Sequence, residues 1–295
     1  MRIVVDRHVR HETEATRSVP VFSARMSSPP PRSGLTRRVF IGGVIGGVLA
    51  SGSAVAGDPR AEAKVRDGGP TAHPSRSAGR TLPRSAATHQ RRRFSAGTTI
   101  EGRTIDVVAS VAARERISVL VVAAVHGNET VTRPIAESIA ALPLPDDISL
   151  YVVPEMNPDG CAANTRRNAR NVDLNRNFPW RWTAADGGPS ELSEPETRAM
   201  TDLVAAVRPT VSVWIHQPLG YVGPIGACPA EWADAWRYAT GDRRRDGVDQ
   251  HGGGESWTAN VAGASTLLVE ARSWNSTPDL VAAHTAGFGN VLALI

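Results

Sequence analysis

The chain has 295 residues, is 41% hydrophobic and 5% aromatic, and carries a formal charge of +4. That length suits one large domain or two small ones, with enough apolar residues for a sizeable core. The basic excess lies in an Arg-rich, low-complexity stretch up to residue 103, where no periodic face gathers it, so the high charge does not indicate a nucleic-acid partner.

In chain order, the first distinctive segment is TRRVFIGGVIGGVLASGSAVAG, residues 36–57. Arg37 and Arg38 precede an apolar run, and Ala54-Val55-Ala56 forms a small-x-small pattern before Gly57. This resembles a twin-arginine export signal. The run is broken by glycines and falls short of the ~20 residues of a permanent membrane helix. Residues 1–56 are therefore read as an export signal with an N-terminal extension, Met26 being a better start than Met1. The expected destination is extracellular or in the cell envelope, with membrane contact only during export. Residues 57–95 are rich in Arg, Ala, Gly, Ser and Pro without an apolar period, which predicts a disordered linker. The folded domain is then 96–295. Cys161 and Cys228 fall within it, where export would permit a disulfide; pairing and two free thiols both stay open.

Within this domain, TIDVVAS (104–110) and ISVLVVAAV (117–125) read as strands, the second apolar on both faces as in a covered central strand. Residues 130–142 place Val131, Ile135, Ile139 and Leu142 on one helical face. ISLYVVPE (148–155) is a strand. Ser193 with Glu196 matches a capping box, opening a helix that runs through Val207. PTVSVWIH (209–216) is a strand, EWADAWRYA a helix and STLLVEA (265–271) a strand. Thr277 before Pro278 caps a final helix. Alternation of this kind predicts an α/β sandwich with a mixed, mostly parallel central sheet and helices on both faces. Ligand sites in such folds gather beyond the carboxyl ends of the strands. His126, His216 and Glu270 all stand at or near those ends.

A catalytic zinc takes three protein ligands and keeps one position open. His126, Glu129 and His216 offer two imidazoles and a carboxylate, and Glu270, in an otherwise apolar strand, suits a general base. A lone His-x-x-Glu pair is a weak signal, and a polar turn would read the same. The segment MNPDGCAANTRRNARNVDLNRNFPW, residues 156–180, is far more specific. With HGNE, IHQPLG and LLVEAR in the same order, it resembles the zinc carboxypeptidases of the M14 type. The resemblance covers about residues 96–295 and implies a three-layer zinc carboxypeptidase-like sandwich. It further implies one Zn2+ per chain on His126, Glu129 and His216, with Glu270 as general base. By the same resemblance Arg166 polarises the scissile carbonyl, Asn175 and Arg176 grip a substrate carboxylate, and Asp173 orients His126 from behind.

One departure stands out. The mobile Tyr that digestive-type members carry before a Gly-Gly segment is missing from GVDQHGGGESWTA, where His251 reads as a solvent-exposed loop residue. The short domain and TRRNARNVDLNRNFP resemble bacterial members that cut the γ-D-glutamyl-diaminopimelate bond of peptidoglycan stem peptides. Glu255 then falls in the side-chain pocket, suited to a cationic group. Two other readings are an exported carboxypeptidase trimming ordinary peptides and a non-catalytic binding protein on the same scaffold. Deacylases of N-acylated amino acids share HGNE, but the complete NPDG and VDLNRNFP segments argue against them. The expected partner is a peptide or stem-peptide substrate and not a nucleic acid. Oligomeric state has no signature in the sequence.

Overall fold

The computed structural model describes residues 89–295; the expected export signal and the linker as far as residue 88 lie outside them. The first element, β1 (His89–Thr98), pairs antiparallel with β2 (Thr104–Ala112), from His89 opposite Ala112 to Thr98 opposite Thr104. Residues 89–95 are thus strand, and the expected linker ends earlier than residue 95. No residue of β1 is fully buried. The strand is held by its backbone ladder rather than by an apolar face, so its sequence has no period to betray it.

The middle of the sheet has the opposite character. β3 (Ile117–Ala123) is buried at six of its seven positions. It lies parallel between β4 (Ile148–Val153) and β5 (Val211–His216), and β5 lies parallel to β8 (Ser265–Glu270). Between them in sequence come β6 (Tyr221–Ile225), antiparallel to β8, and the short β7 (Arg243–Arg244). The eight strands run in the order β1-β2-β4-β3-β5-β8-β6-β7, a parallel centre with antiparallel flanks. This is the mixed, mostly parallel sheet expected of the alternating pattern.

Helices cover both faces. On one, α1 (Thr132–Ala140), α4 (Ala230–Thr240) and α6 (Pro278–Leu292) pack over Val119, Val121, Val213, Ile215, Leu267 and Val269. On the other, α3 (Pro195–Val207) closes over Leu120 and Val122, with Ile105 and Val107 of β2 in the same cluster. Two short helices, α2 (Pro158–Ala163) and α5 (Gly254–Asn260), sit near the site described below. Odd and even residues of one strand thus feed opposite cores, which is why these strands read as continuous apolar runs.

Helix ends test the capping predictions. The Thr277 side chain accepts from the Leu280 amide, as its place before Pro278 implied. The expected capping box does not form: α3 starts one residue later, with Glu194 in the cap position and no side-chain cap bond. Ser193 Oγ instead donates to Glu194 Oε1 at 2.8 Å and accepts from Asn177 Nδ2 at 3.0 Å. The buried Asn177 draws Ser193 and its neighbours into the loop and so overrides the local signal. Both cysteines are free, Cys228 packed in the α4/α6 core and Cys161 on α2.

Candidate metal centre and active site

β3 ends at Ala123, and Ala124 turns the chain with a left-handed φ of 48°. His126 and Glu129 follow in a tight turn, closed by the Glu129 amide donating to the His126 carbonyl at 3.1 Å. Asn157 and its neighbours clasp this turn. The Met156 and Asn157 amides donate to the carbonyls of Ala123 and Ala124, and Asn157 Oδ1 caps α2 at the Gly160 amide. Gly127 runs so close to α2 that a Cβ on it would lie 1.9 Å from the Gly160 carbonyl carbon. Asp159, in the same motif, receives Thr99 Oγ1 at 2.7 Å and the Glu101 amide at 3.0 Å, fastening the β1–β2 turn. The Asn-Pro-Asp-Gly segment is therefore the brace of the ligand turn and not part of its chemistry.

His216 is the last residue of β5. In the ladder it stands opposite Glu270 of β8, which in turn stands opposite Tyr221 of β6. Three adjacent strand ends thereby bring His216, Glu270 and Tyr221 side by side. His126 Nδ1 lies 2.6 Å from Glu129 Oε1, and His216 Nδ1 lies 3.0 Å from Glu129 Oε2. Each of the three residues offers a donor atom within 4.8 Å of the others, and all three are buried. Two imidazole nitrogens converging on one carboxylate, away from water, fit a divalent ion of zinc type. The other ring nitrogen of His126 meets Asp173 Oδ1 at 3.0 Å, the partner that orients a metal-binding imidazole.

Electrostatics follow from this packing. Burial alone would raise Glu129, but the His216 charge and hydrogen bonds from both rings bring it down to about 2. Burial opposes the His216 imidazolium, yet Glu129 pulls its pKa up to about 9. Asp173 is also pushed up by burial, and is held below the usual carboxylate range by the His126 hydrogen bond and the His126 and Arg166 charges. Glu270 moves the other way: burial raises it, with Glu129 and Glu255 adding and His216 opposing.

Of the nine residues singled out in the sequence, eight line one cavity of about 460 Å³, and Asp173 stands behind His126. Arg166 reaches Asp173 Oδ2 through two nitrogens, at 2.9 and 3.1 Å, and comes within 4.0 Å of Glu129. Asn175 links to α5, its Oδ1 accepting from the Gly254 amide at 2.9 Å and its Nδ2 lying 3.4 Å from Glu255 Oε1. Gly254 lets α5 approach, since a Cβ there would come within 2.3 Å of the Trp214 ring. His251 is exposed and does not line the cavity. Sequence reasoning missed Tyr221, Arg245 and Trp274, which do. Tyr221 sits in YVGPI, where Gly and Pro mask a strand, and Arg245 and Trp274 lie in loops without a pattern.

Comparison with known proteins agrees with this geometry. Residues 84–219 match the family model described as zinc carboxypeptidase. Over 129 residues the chain is 35% identical to murein peptide amidase A of Escherichia coli strain K12, covering 37% of this chain and 53% of the relative. Carboxypeptidase SOL1 of Arabidopsis thaliana is 33% identical over 104 residues, 31% of this chain and 21% of that one. The chain thus spans about half the length of the murein amidases it matches. Among solved structures, murein-tripeptide amidase from Escherichia coli O157 superposes with a TM-score of 0.54 at 25% identity, over 68% of this chain and 91% of that one. Carboxypeptidase A of Helicoverpa armigera shares the fold, with a TM-score of 0.56 at 20% identity over 69% and 66%. The matched segment, the sheet and the metal-ligand trio agree: residues 84–219, just under half of the chain, match the zinc carboxypeptidases, and the described residues share their fold.

Proposed function

We propose that this protein is an exported zinc peptidase that hydrolyses the amide bond on the amino side of a carboxylate-bearing residue. Its substrate in this reading is the stem peptide of peptidoglycan, cut between γ-D-glutamate and diaminopimelate. The observation that carries it is the meeting, in one cavity, of the His126–Glu129–His216 trio with Glu270 and the Asn175–Arg176 pair. The likeness to murein peptide amidases supports the substrate class, and the twin-arginine-like segment supports delivery to the polymer.

His126, Glu129 and His216 would hold one zinc ion, which supplies a Lewis acid that polarises a carbonyl and acidifies water. Glu270 accepts the proton of the attacking water and passes it to the departing amine. Its raised pKa brings it closer to neutrality, where a general base is most effective. Arg166, half exposed and anchored on Asp173, leans over the cavity and can donate to the oxyanion as it develops. Arg176 offers a planar guanidinium to the substrate carboxylate beside Asn175. Glu255 meets a cationic group on the residue released.

The test is to incubate the zinc-loaded full-length chain with L-Ala-γ-D-Glu-meso-diaminopimelate and with L-peptides of varied C-terminal residues, and to identify products by mass spectrometry. Release of diaminopimelate, lost in a Glu270→Gln variant that still binds zinc, is the expected result. Release of ordinary C-terminal residues alone would replace this reading with general peptide trimming, which the likeness to carboxypeptidase SOL1 makes the second reading. A chain that binds zinc and turns over neither class would be a binding protein on a peptidase scaffold.

A further inference from the structure

One side of the cavity has no part in the chemistry above. Arg245 lines it, its guanidinium carbon 5.1 Å over the Tyr221 ring. The preceding residue, Arg244, is engaged by Asp234 at 2.7 Å and Asp246 at 3.0 Å. Arg245, by contrast, has no carboxylate within ion-pair distance among the described residues. Its hydrogen-bonding interaction is with the neutral Tyr221 phenol, which leaves the charge unpaired and further N–H donors for an incoming acceptor.

Glu255 lines the same cavity and has the complementary lack. It is 1% exposed, and its Oε2 has no hydrogen-bond partner, while Oε1 has only the 3.4 Å contact to Asn175. A buried carboxylate oxygen without a donor is costly to keep, and a ligand that brings a donor removes the cost. Tyr221 lines the same cavity and feels both charges. Burial pushes its phenol up to about 12, with Glu270 and Glu255 adding and Arg245 opposing, so both charges act on one ring.

We propose that Arg245 and Glu255 together form a receptor for a zwitterionic side chain, Glu255 taking its ammonium and Arg245 its carboxylate. An α-amino-acid head at the end of an aliphatic spacer has this chemistry, and the free D-centre of meso-diaminopimelate is one. The inference rests on the stem-peptide reading and sharpens it. Asn175, set to face the main-chain carboxylate of the released residue, is also the neighbour of Glu255. A side chain leaving that same residue therefore meets the receptor. Lysine offers the ammonium and leaves Arg245 unmatched. Diaminopimelate whose distal amine is acylated in a cross-link loses the charge that Glu255 seeks, so the receptor selects uncross-linked stems.

The experiment compares γ-D-glutamyl-meso-diaminopimelate with γ-D-glutamyl-L-lysine on zinc-loaded full-length enzyme. Wild type should favour diaminopimelate, and Arg245→Gln should lower kcat/KM for it about 10- to 100-fold, chiefly through KM. The lysine substrate should fall far less, so that the preference collapses, and Arg245→Lys should restore part of it. Titration calorimetry of the diaminopimelate peptide into Glu270→Gln, with and without Arg245→Gln, should give the same contrast without turnover. Equal losses on both substrates, or an unaltered preference, would overturn the receptor. If wild type refused both γ-D-glutamyl substrates and cut α-linked peptides, the stem-peptide reading would fall. The Arg245→Gln comparison on α-linked peptides ending in diaminopimelate or lysine would then decide the receptor by itself: a collapsed preference keeps it, and a flat one overturns it.

Discussion

Replacing Asp173 with Asn tests whether the residue behind His126 serves the metal or only the fold. The substitution keeps the shape and one acceptor oxygen, so the Asn175 amide, 3.0 Å away, can still be capped. It removes the negative charge that meets His126 at 3.0 Å and Arg166 at 2.9 and 3.1 Å. Hydrogen bonds to charged groups contribute about 1.5–3 kcal/mol each. The Arg166 side chain is 46% exposed, so water recovers much of its share and that bond counts for about 1 kcal/mol at most. The metal-free chain should therefore lose about 2–4 kcal/mol. Loss of the partner that orients a ligating imidazole typically weakens metal binding about 10- to 100-fold. Zinc affinity measured by chelator competition, with urea unfolding of the metal-free chain alongside, reads both numbers. Asp159→Asn is the control: that carboxylate is equally buried and bonded, but it fastens the β1–β2 turn. It should cost similar stability and leave zinc affinity nearly intact. Unchanged affinity in Asp173→Asn, or an equal fall in both variants, would refute the assignment.

Gly127→Ala should abolish zinc binding and destabilise the fold together, because its Cβ would strike the backbone of Gly160 at 1.9 Å, and backbone cannot rotate aside; metal content and melting temperature check this. A third prediction concerns His284, whose buried ring accepts from Trp236 Nε1 at 3.2 Å. Burial lowers its pKa to about 4 against an ordinary 6.5, with Asp242 opposing. As pH falls, the unfolded chain takes up the proton first. The stability contributed by the neutral ring is whole above about pH 6.5 and is lost as pH falls through about 4, by on the order of 3 kcal/mol. Urea midpoints across that window should slope in wild type and flatten in His284→Asn; parallel slopes would remove His284 as the cause. A fourth is that Glu270→Gln lowers turnover at least about 100-fold while zinc content holds, since Glu270 lies outside the trio.

What could be read in the sequence depended on where each residue found its partners. β3, β5 and β8 bury both faces, so their apolar runs are bounded sharply, and His216 and Glu270 stand out at their ends. β1 satisfies itself through a backbone ladder and keeps its side chains in water, so a run of arginines hid a strand. The capping box at Ser193 failed for a related reason: the buried Asn177, 16 residues earlier, competes for the same hydroxyl. Local rules miss partners that arrive from elsewhere in the chain. The same holds for Tyr221, whose place beside Glu270 is a fact of strand register and of no motif.

The register also divides the site into two halves with different origins. The family match ends at residue 219 and includes both histidines, Glu129, Arg166, Asp173, Asn175 and Arg176. Glu270, Tyr221, Arg245 and Glu255 come after it. The ligand-binding half is braced by Asn157–Gly160, and a shift there displaces the backbone of the metal turn. Of the later half, Arg245 and Glu255 are carried on a loop and on α5, and Glu270 and Tyr221 on β8 and β6; it is held to the first by the Asn175–Gly254 bond and by the ladder of His216, Glu270 and Tyr221. Loops on a rigid scaffold can change charge without cost to the core. The metal-ligand trio is thus tied to the half that cannot vary, while the segment that carries Arg245 and Glu255 can. An exchange of residues 245–255 with those of a relative of different substrate should therefore transfer preference while leaving zinc affinity in place. A loss of zinc binding in that exchange would show the two halves to be one.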